Sequence, residues 1–234
     1  MLSAISISNS RRRLTTTGGD AVWSTMQHGL QTADRQWLWL LLAADLAFLA
    51  LHVYRKVYGG GLALDISHDG GYAEMFQYLK ELWIALLLAR AAVLLRDRWF
   101  WLWSFVFAYV LLDDAMGFHE RAGAWFAAQG VVGAAFGAKA KDLGQVLFFA
   151  AAASVCAGLV IALRRFMPVP QMQPHKALLL LFAGLVFFGV GVDLLHSIVA
   201  RLGFRGLGVV EDGGEMLVMS VIVAYAAGLV RRPA

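Results

Sequence analysis

Six runs of about 20 mostly apolar residues dominate this chain, and a run of that length, wound as a helix, matches the hydrocarbon thickness of a bilayer. They fall at 37–57, 75–95, 99–119, 143–163, 177–200 and 213–230. The pattern predicts an all-α fold, a polytopic membrane protein built as a six-transmembrane-helix bundle. Hydrophobic residues make up 60% of the 234 and charged residues 15%, against roughly 45–50% and 25% in soluble domains. A water-soluble single domain is thereby excluded. Residues 1–34 read as a cytoplasmic N-terminal tail and 35–232 as the transmembrane domain. Within the tail, Arg11-Arg12-Arg13 precedes no apolar stretch that could be cleaved as a signal, and Trp23 and Met26 can rest on the membrane surface.

Charge gives the bundle a direction. With six spans both termini lie on one side. Arg11, Arg12, Arg13, Arg35, Arg90, Arg96, Arg98, Arg164, Arg165, Lys176, Arg231 and Arg232 fall there, leaving eight of the 20 Lys and Arg for the other side. The positive-inside rule then makes the termini cytoplasmic. The acids run the other way: only Asp20, Asp34, Asp45 and Asp97 of the 16 belong to the inner half. The lone cysteine, Cys156, lies inside an apolar run, which rules out an intramolecular disulfide and any thiolate metal site. The basic face lacks interleaved aromatics, so lipid headgroups and not nucleic acid are its expected partners.

Ionisable residues within membrane spans are costly and mark functional sites. At about 1.5 Å rise per residue, Glu81, Asp113, Glu120, Asp193, His196 and Glu215 all reach the outer third of the bilayer from four different helices. Glu74, Gln77, Tyr78 and Glu81 form one polar stripe at i, i+3, i+4, i+7, which should face the bundle interior. Asp113 and Glu120, seven apart, share a face from which His119 departs. Asp193 and His196 are neighbours at i, i+3, resembling half of the carboxylate–histidine ligand pair of dimetal bundles. Lys80, Arg121, Arg201 and Arg205 are close enough in sequence to neutralise part of this charge. Two acids also read as helix N-caps: Asp142 with Gln145, and Asp212 with Glu215. Ala122 to Lys141, broken by Gly130, Gly133 and Gly137, reads as an interfacial or re-entrant segment.

Asp65-x-Ser67-x-Asp69-Gly70 has the alternating oxygens that open a calcium loop, but the twelfth position is Phe76 where an acid belongs, and a plain turn competes with that reading. Asp69-Gly70-Gly71-Tyr72-Ala73-Glu74, the Asp-Asp-x4-His-Glu motif of Asp113 to Glu120 and the Glu-Asp-Gly-Gly-Glu motif of Glu211 to Glu215 resemble a set shared by uncharacterised bacterial multi-pass inner-membrane proteins. The resemblance implies a helical bundle in the bacterial inner membrane and brings no activity with it.

Three functions fit these residues. The first is a divalent-metal site, mononuclear or dimetal, formed by Glu81, Asp113, Glu120, Asp193, His196 and Glu215, whose oxygen and nitrogen donors suit iron, manganese or zinc. The second is a non-catalytic accessory or scaffold subunit, with other membrane subunits or further copies of this chain as partners. The third is a proton or cation translocator. No motif specifies a reaction, so the sequence leaves open whether the chain is an enzyme.

Overall fold

The computed structural model describes residues 18–135, 137–165, 172–200 and 207–231, and nearly all of them are helical. In chain order the helices are α1 (Gly18–Thr32), α2 (Arg35–Tyr58), α3 (Tyr72–Leu94), α4 (Trp99–Met116), α5 (Phe118–Ala128), α6 (Ala140–Leu163), α7 (Met172–Val186), α8 (Asp193–Ala200) and α9 (Leu207–Arg231). A short 3-10 turn, Leu62–Leu64, interrupts the α2–α3 connection, and α7 runs into α8 through a wide π turn, Phe187–Val192. No strand occurs among the described residues.

Each of the six apolar runs is helical, the third broken at Gly117 and the fifth interrupted by the π turn. Five are long and apolar enough to cross a membrane: α2, α4, α6, the α7–α8 unit and α9. The sixth, α3, has 23 residues, ample length for a bilayer, but carries Glu74, Lys80, Glu81 and Arg90. Helix α5, at 11 residues, is too short to span.

Helix α9 is the axis of the bundle. From Met216 to Leu229 nearly all of its residues are apolar and most are buried, as a helix apolar on every face requires when neighbours surround it. Helices α2, α3 and α7 pack around it. The core joins Leu41 of α2, Ile84 and Leu88 of α3, Phe100 and Phe107 of α4, Leu178 of α7, and Ile222, Val223 and Tyr225 of α9. Helix α6 is the opposite case. It is the most apolar of the candidate spans, yet of its residues only Gly144 is buried. It meets the rest of the fold mainly through α5, where Gly144 crosses Gly123 so closely that a Cβ at either position would stand 2.6 Å from a backbone oxygen.

Two features of the first 34 residues and the far C-terminus lie together at one end of the bundle. Residues 18–32, expected as part of a tail, form α1, which packs on α7 and α9. Asp34 caps α2 by accepting from the Gln36 amide at 2.9 Å, and it also accepts from Arg231 Nη1 at 2.7 Å. The Arg96-Asp97-Arg98 hairpin sits with the start of α7, since Asp97 bonds His175 Nε2 at 2.8 Å.

Three local expectations are corrected. Helix α4 stops at Met116, three residues early, because Gly117 takes the left-handed conformation (φ 60°, ψ 41°) and turns its amide back to the carbonyls of Asp113 and Asp114. Asp142 is not an N-cap: α6 starts at Ala140 after Lys139, and the Asp142 carboxylate accepts from the Ser197 hydroxyl. Asp212 is not an N-cap either, because α9 already runs from Leu207 and Asp212 accepts from Ser67 of the α2–α3 loop. In both cases a hydroxyl from another element draws the side chain away from its own helix.

Candidate metal centre

The α4–α5 junction places the first ligand group. Asp113 and Asp114 occupy the last turn of α4, and the turn at Gly117 swings the chain so that α5 begins beside them. The His119 amide donates to Asp113 Oδ1 and its ring Nδ1 lies against Asp113 Oδ2, both at 3.0 Å. One carboxylate therefore caps α5 and fixes the imidazole. Phe149 of α6 stacks on the same ring at a centroid distance of 5.2 Å. Burial works against a charged imidazole here, but the hydrogen bond and charge of Asp113, with Asp114 and Glu120 nearby, outweigh it and raise the His119 pKa above its ordinary value. Asp113, Asp114 and His119 each offer a donor atom within 4.8 Å of the other two, a spacing that can hold a metal ion.

Helix α3 closes one side. Its polar stripe turns inward as expected: Glu81 is 1% exposed, whereas Met75, Leu79, Leu82 and Leu86 on the opposite face are exposed. Tyr78 donates to Glu74 Oε1 at 2.5 Å, and Glu74 also accepts from the Gly70 amide. The Glu81 carboxyl hydrogen-bonds the Asp114 carboxyl and faces Glu215. Glu81 Oε2 is buried without a hydrogen-bond partner.

Helices α8 and α9 close the other side. His196 Nδ1 lies 3.1 Å from Glu211 Oε2. Asp193 interacts electrostatically with His196, His119 and Asp142. Glu215 interacts electrostatically with Asp114, Asp212, Glu211 and Asp193, and its Oε1 rests against the backbone of Gly189 in the π turn, where a Cβ would collide with it.

Of the residues singled out from sequence, Glu81, Asp113, Asp193, His196 and Glu215 border one acidic region. Glu120 lies at the edge, near His119 but half exposed and 3.5 Å from Lys141 Nζ. Asp114 and His119 were missed. Their signal was Gly117, whose helix-ending turn removes the phase argument that set His119 apart. Lys80, expected to neutralise the acids, is engaged elsewhere, bonded to Asp45 Oδ1 at 2.6 Å and the Met216 carbonyl at 3.0 Å.

The calcium-like loop is also engaged. Asp65 pairs with His52 Nδ1 at 2.8 Å, with Arg55 and with Lys56 Nζ at 3.1 Å. Burial raises the Asp65 pKa, yet the bonds from Lys56 and the Ser67 amide outweigh it and hold the carboxyl below the usual range. With Ser67 bonded to Asp212, the loop ties α2 to α9 and leaves Asp65 no free oxygen for a cation.

No curated protein and no solved structure matches the chain. A family model described as a domain of unknown function (DUF8692) matches residues 66–229. That range holds α3 to nearly all of α9, hence every residue of the acidic region, and the chain belongs to this family.

Proposed function

We propose that this protein is a six-span bundle of the bacterial inner membrane, with both termini cytoplasmic, that binds a divalent cation at its outward end through Asp113, Asp114 and His119, with Glu81 behind Asp114. The observation that carries this reading is the meeting of those three donor groups within 4.8 Å, next to a Glu81 carboxyl that is 1% exposed and has an oxygen without a donor. Buried carboxylates without counter-charge are expensive, and a cation offsets that cost where no Lys or Arg does. Among the described residues no Lys or Arg forms an ion pair with Asp113, Asp114 or Glu81, since Lys80, Arg55, Lys56 and Lys141 pair with Asp45, Asp65 and Glu120. Oxygen donors with one imidazole suit manganese, iron or zinc. His119, its Nδ1 held by Asp113, would ligate as neutral imidazole through the other nitrogen.

The translocator alternative is weaker. Asp45, the buried acid that could extend a relay, is locked between Lys80 and the Ser220 hydroxyl at 2.5 Å.

Elemental analysis of the full-length protein, purified without chelator, tests the metal reading. Wild type is expected to carry manganese, iron or zinc, Asp114→Asn and His119→Ala to lose most of it, and Asp65→Asn to keep it. Protein that takes up none of the three after loading, and gains no thermal stability from them, would refute the reading.

A further inference from the structure

We propose that the furrow between α2 and α3 binds one anionic phospholipid of the inner leaflet, its acyl chain against Trp37, Trp83 and Phe76 and its phosphate on Arg90. The proposal takes the six-span orientation from the proposed function and is independent of the metal site.

The furrow exists because the two helices pack on other neighbours. Helix α2 lies on α9, and α3 lies on α9 and α4. Across the gap between them reach aromatic rings, Trp37 to Trp83 at a centroid distance of 5.8 Å and Phe48 to Phe76 at 5.4 Å. A hollow of about 440 Å³ is left, with Ala43 and Ala44 making room on α2 and Phe76 and Trp83 walling it on α3. That size falls in the range of small-molecule sites, roughly 300–1,000 Å³. The two indole N–H groups are the only polar groups among its lining side chains, so a chain of methylenes fits it and a polar solute does not. Leu40 at its edge is 67% exposed, and a hollow open at that side within a membrane meets lipid.

Charge identifies the other end of the ligand. Phe76 and Trp83 are seven residues apart, and the next position in the row is Arg90. Residues seven apart differ by about 20° around a helix, so Arg90 continues the same wall about 10 Å nearer the inner surface. It is exposed and forms no ion pair among the described residues. An arginine in a span is costly until its guanidinium reaches the headgroups, and guanidinium matches phosphate through paired hydrogen bonds. From Phe76 to Arg90 the row runs about 21 Å, enough to cover one leaflet of a core about 30 Å thick. A second copy of this chain fits less well. Three of the four inner-half acids, Asp34, Asp45 and Asp97, are already bonded to Arg231, Lys80 and His175, which leaves little to meet Arg90.

Native mass spectrometry of the full-length protein, delipidated in detergent and then given phosphatidylglycerol or phosphatidylcholine with identical chains, tests the site. Wild type is expected to retain one phosphatidylglycerol per chain, with about a fivefold preference over phosphatidylcholine, the effect of one basic residue near a headgroup. Arg90→Gln should lower phosphatidylglycerol retention to the phosphatidylcholine level. Ala43→Trp, an exposed position at the hollow, should reduce retention of both lipids while leaving bound metal unchanged. Equal retention of the two lipids by wild type, or an undiminished preference in Arg90→Gln, would overturn the proposal. So would full retention in Ala43→Trp, or a lipid-free dimer that this variant disperses. Each of those results leaves the metal reading standing, because metal content is measured separately.

Discussion

At Lys80, on α3, the ammonium group has a partner in each direction: Asp45 Oδ1 at 2.6 Å, the Met216 carbonyl at 3.0 Å and the Phe76 ring at 4.8 Å. Asp45 in turn accepts from Ser220. One residue further along the same helix, Glu81 is as deeply buried, 1% exposed against 0%, and meets other carboxyls. The two residues share a helix and a depth but point to neighbouring faces, one toward α2 and α9, the other toward α4 and the acidic region. Their difference separates a buried charge that has its counter-ion from a buried carboxyl that has none. A satisfied pair needs nothing further, whereas an uncompensated carboxylate persists in a fold when something bound to it offsets its cost.

The contrast predicts opposite responses to neutralisation. Lys80→Met should destabilise the protein most, by about 3–5 kcal/mol, because it strands a buried Asp45. Adding Asp45→Leu should restore most of that loss, and chemical unfolding in detergent compares the two. A near-neutral Lys80→Met would erase the distinction. Glu81→Gln should leave the metal-free protein as stable as wild type, since it removes repulsion and no counter-ion. What it should lose is the stabilisation by added Mn(II), about 2.7 kcal/mol at a hundredfold excess over Kd, read as the shift in melting temperature.

The turn that builds the first ligand group gives a smaller effect. Gly117→Ala places a side chain in the left-handed region, at a cost of roughly 1–2 kcal/mol, and should weaken Mn(II) binding by displacing His119 from Asp113. Unchanged Mn(II) affinity would show that the Gly117 turn does not position the site.

The smallest effect lies at the opposite end of the bundle. The Arg231 guanidinium beside Asp34 holds its carboxyl below the ordinary value. A depressed acid contributes stability that is present above its unfolded pKa, about 3.9, and is lost as pH falls through its native value. Arg231 is largely exposed, so Arg231→Gln should cost no more than about 1 kcal/mol at neutral pH. The difference between variant and wild type should vanish on acidification below that range, and a gap that persisted in acid would remove Asp34 from the account.

Apolar run length was enough to locate all six long helices, and i, i+3, i+4, i+7 spacing identified the face of α3 that turns inward, because both properties are periodic and local. Partner choice is neither. Asp142 and Asp212 look like caps when only neighbours along the chain are considered, and become acceptors for Ser197 and Ser67 once α8 and the α2–α3 loop are in place. Lys80 looked like a counter-ion for Glu81 because they are adjacent in sequence, yet side chains about 100° apart on a helix face different neighbours. His119 was separated from Asp113 by treating 99–119 as one unbroken helix. Gly117, two residues before the expected end of that helix, carries no hydropathy signal, although glycine in a left-handed turn is a common helix stop.

The π turn at Phe187–Val192 has a consequence for how the second half of the acidic region could have arisen. A π turn takes up one more residue than an α turn, so everything beyond it is rotated by about 100° relative to an uninterrupted α-helix. Asp193 and His196 begin immediately after it. The direction in which α8 presents them is therefore set by the winding of the backbone before it, and Glu215 presses on that winding at Gly189. Shortening the turn by a single residue would leave both side chains chemically intact and rotate them by about 100° away from Glu211 and Asp142.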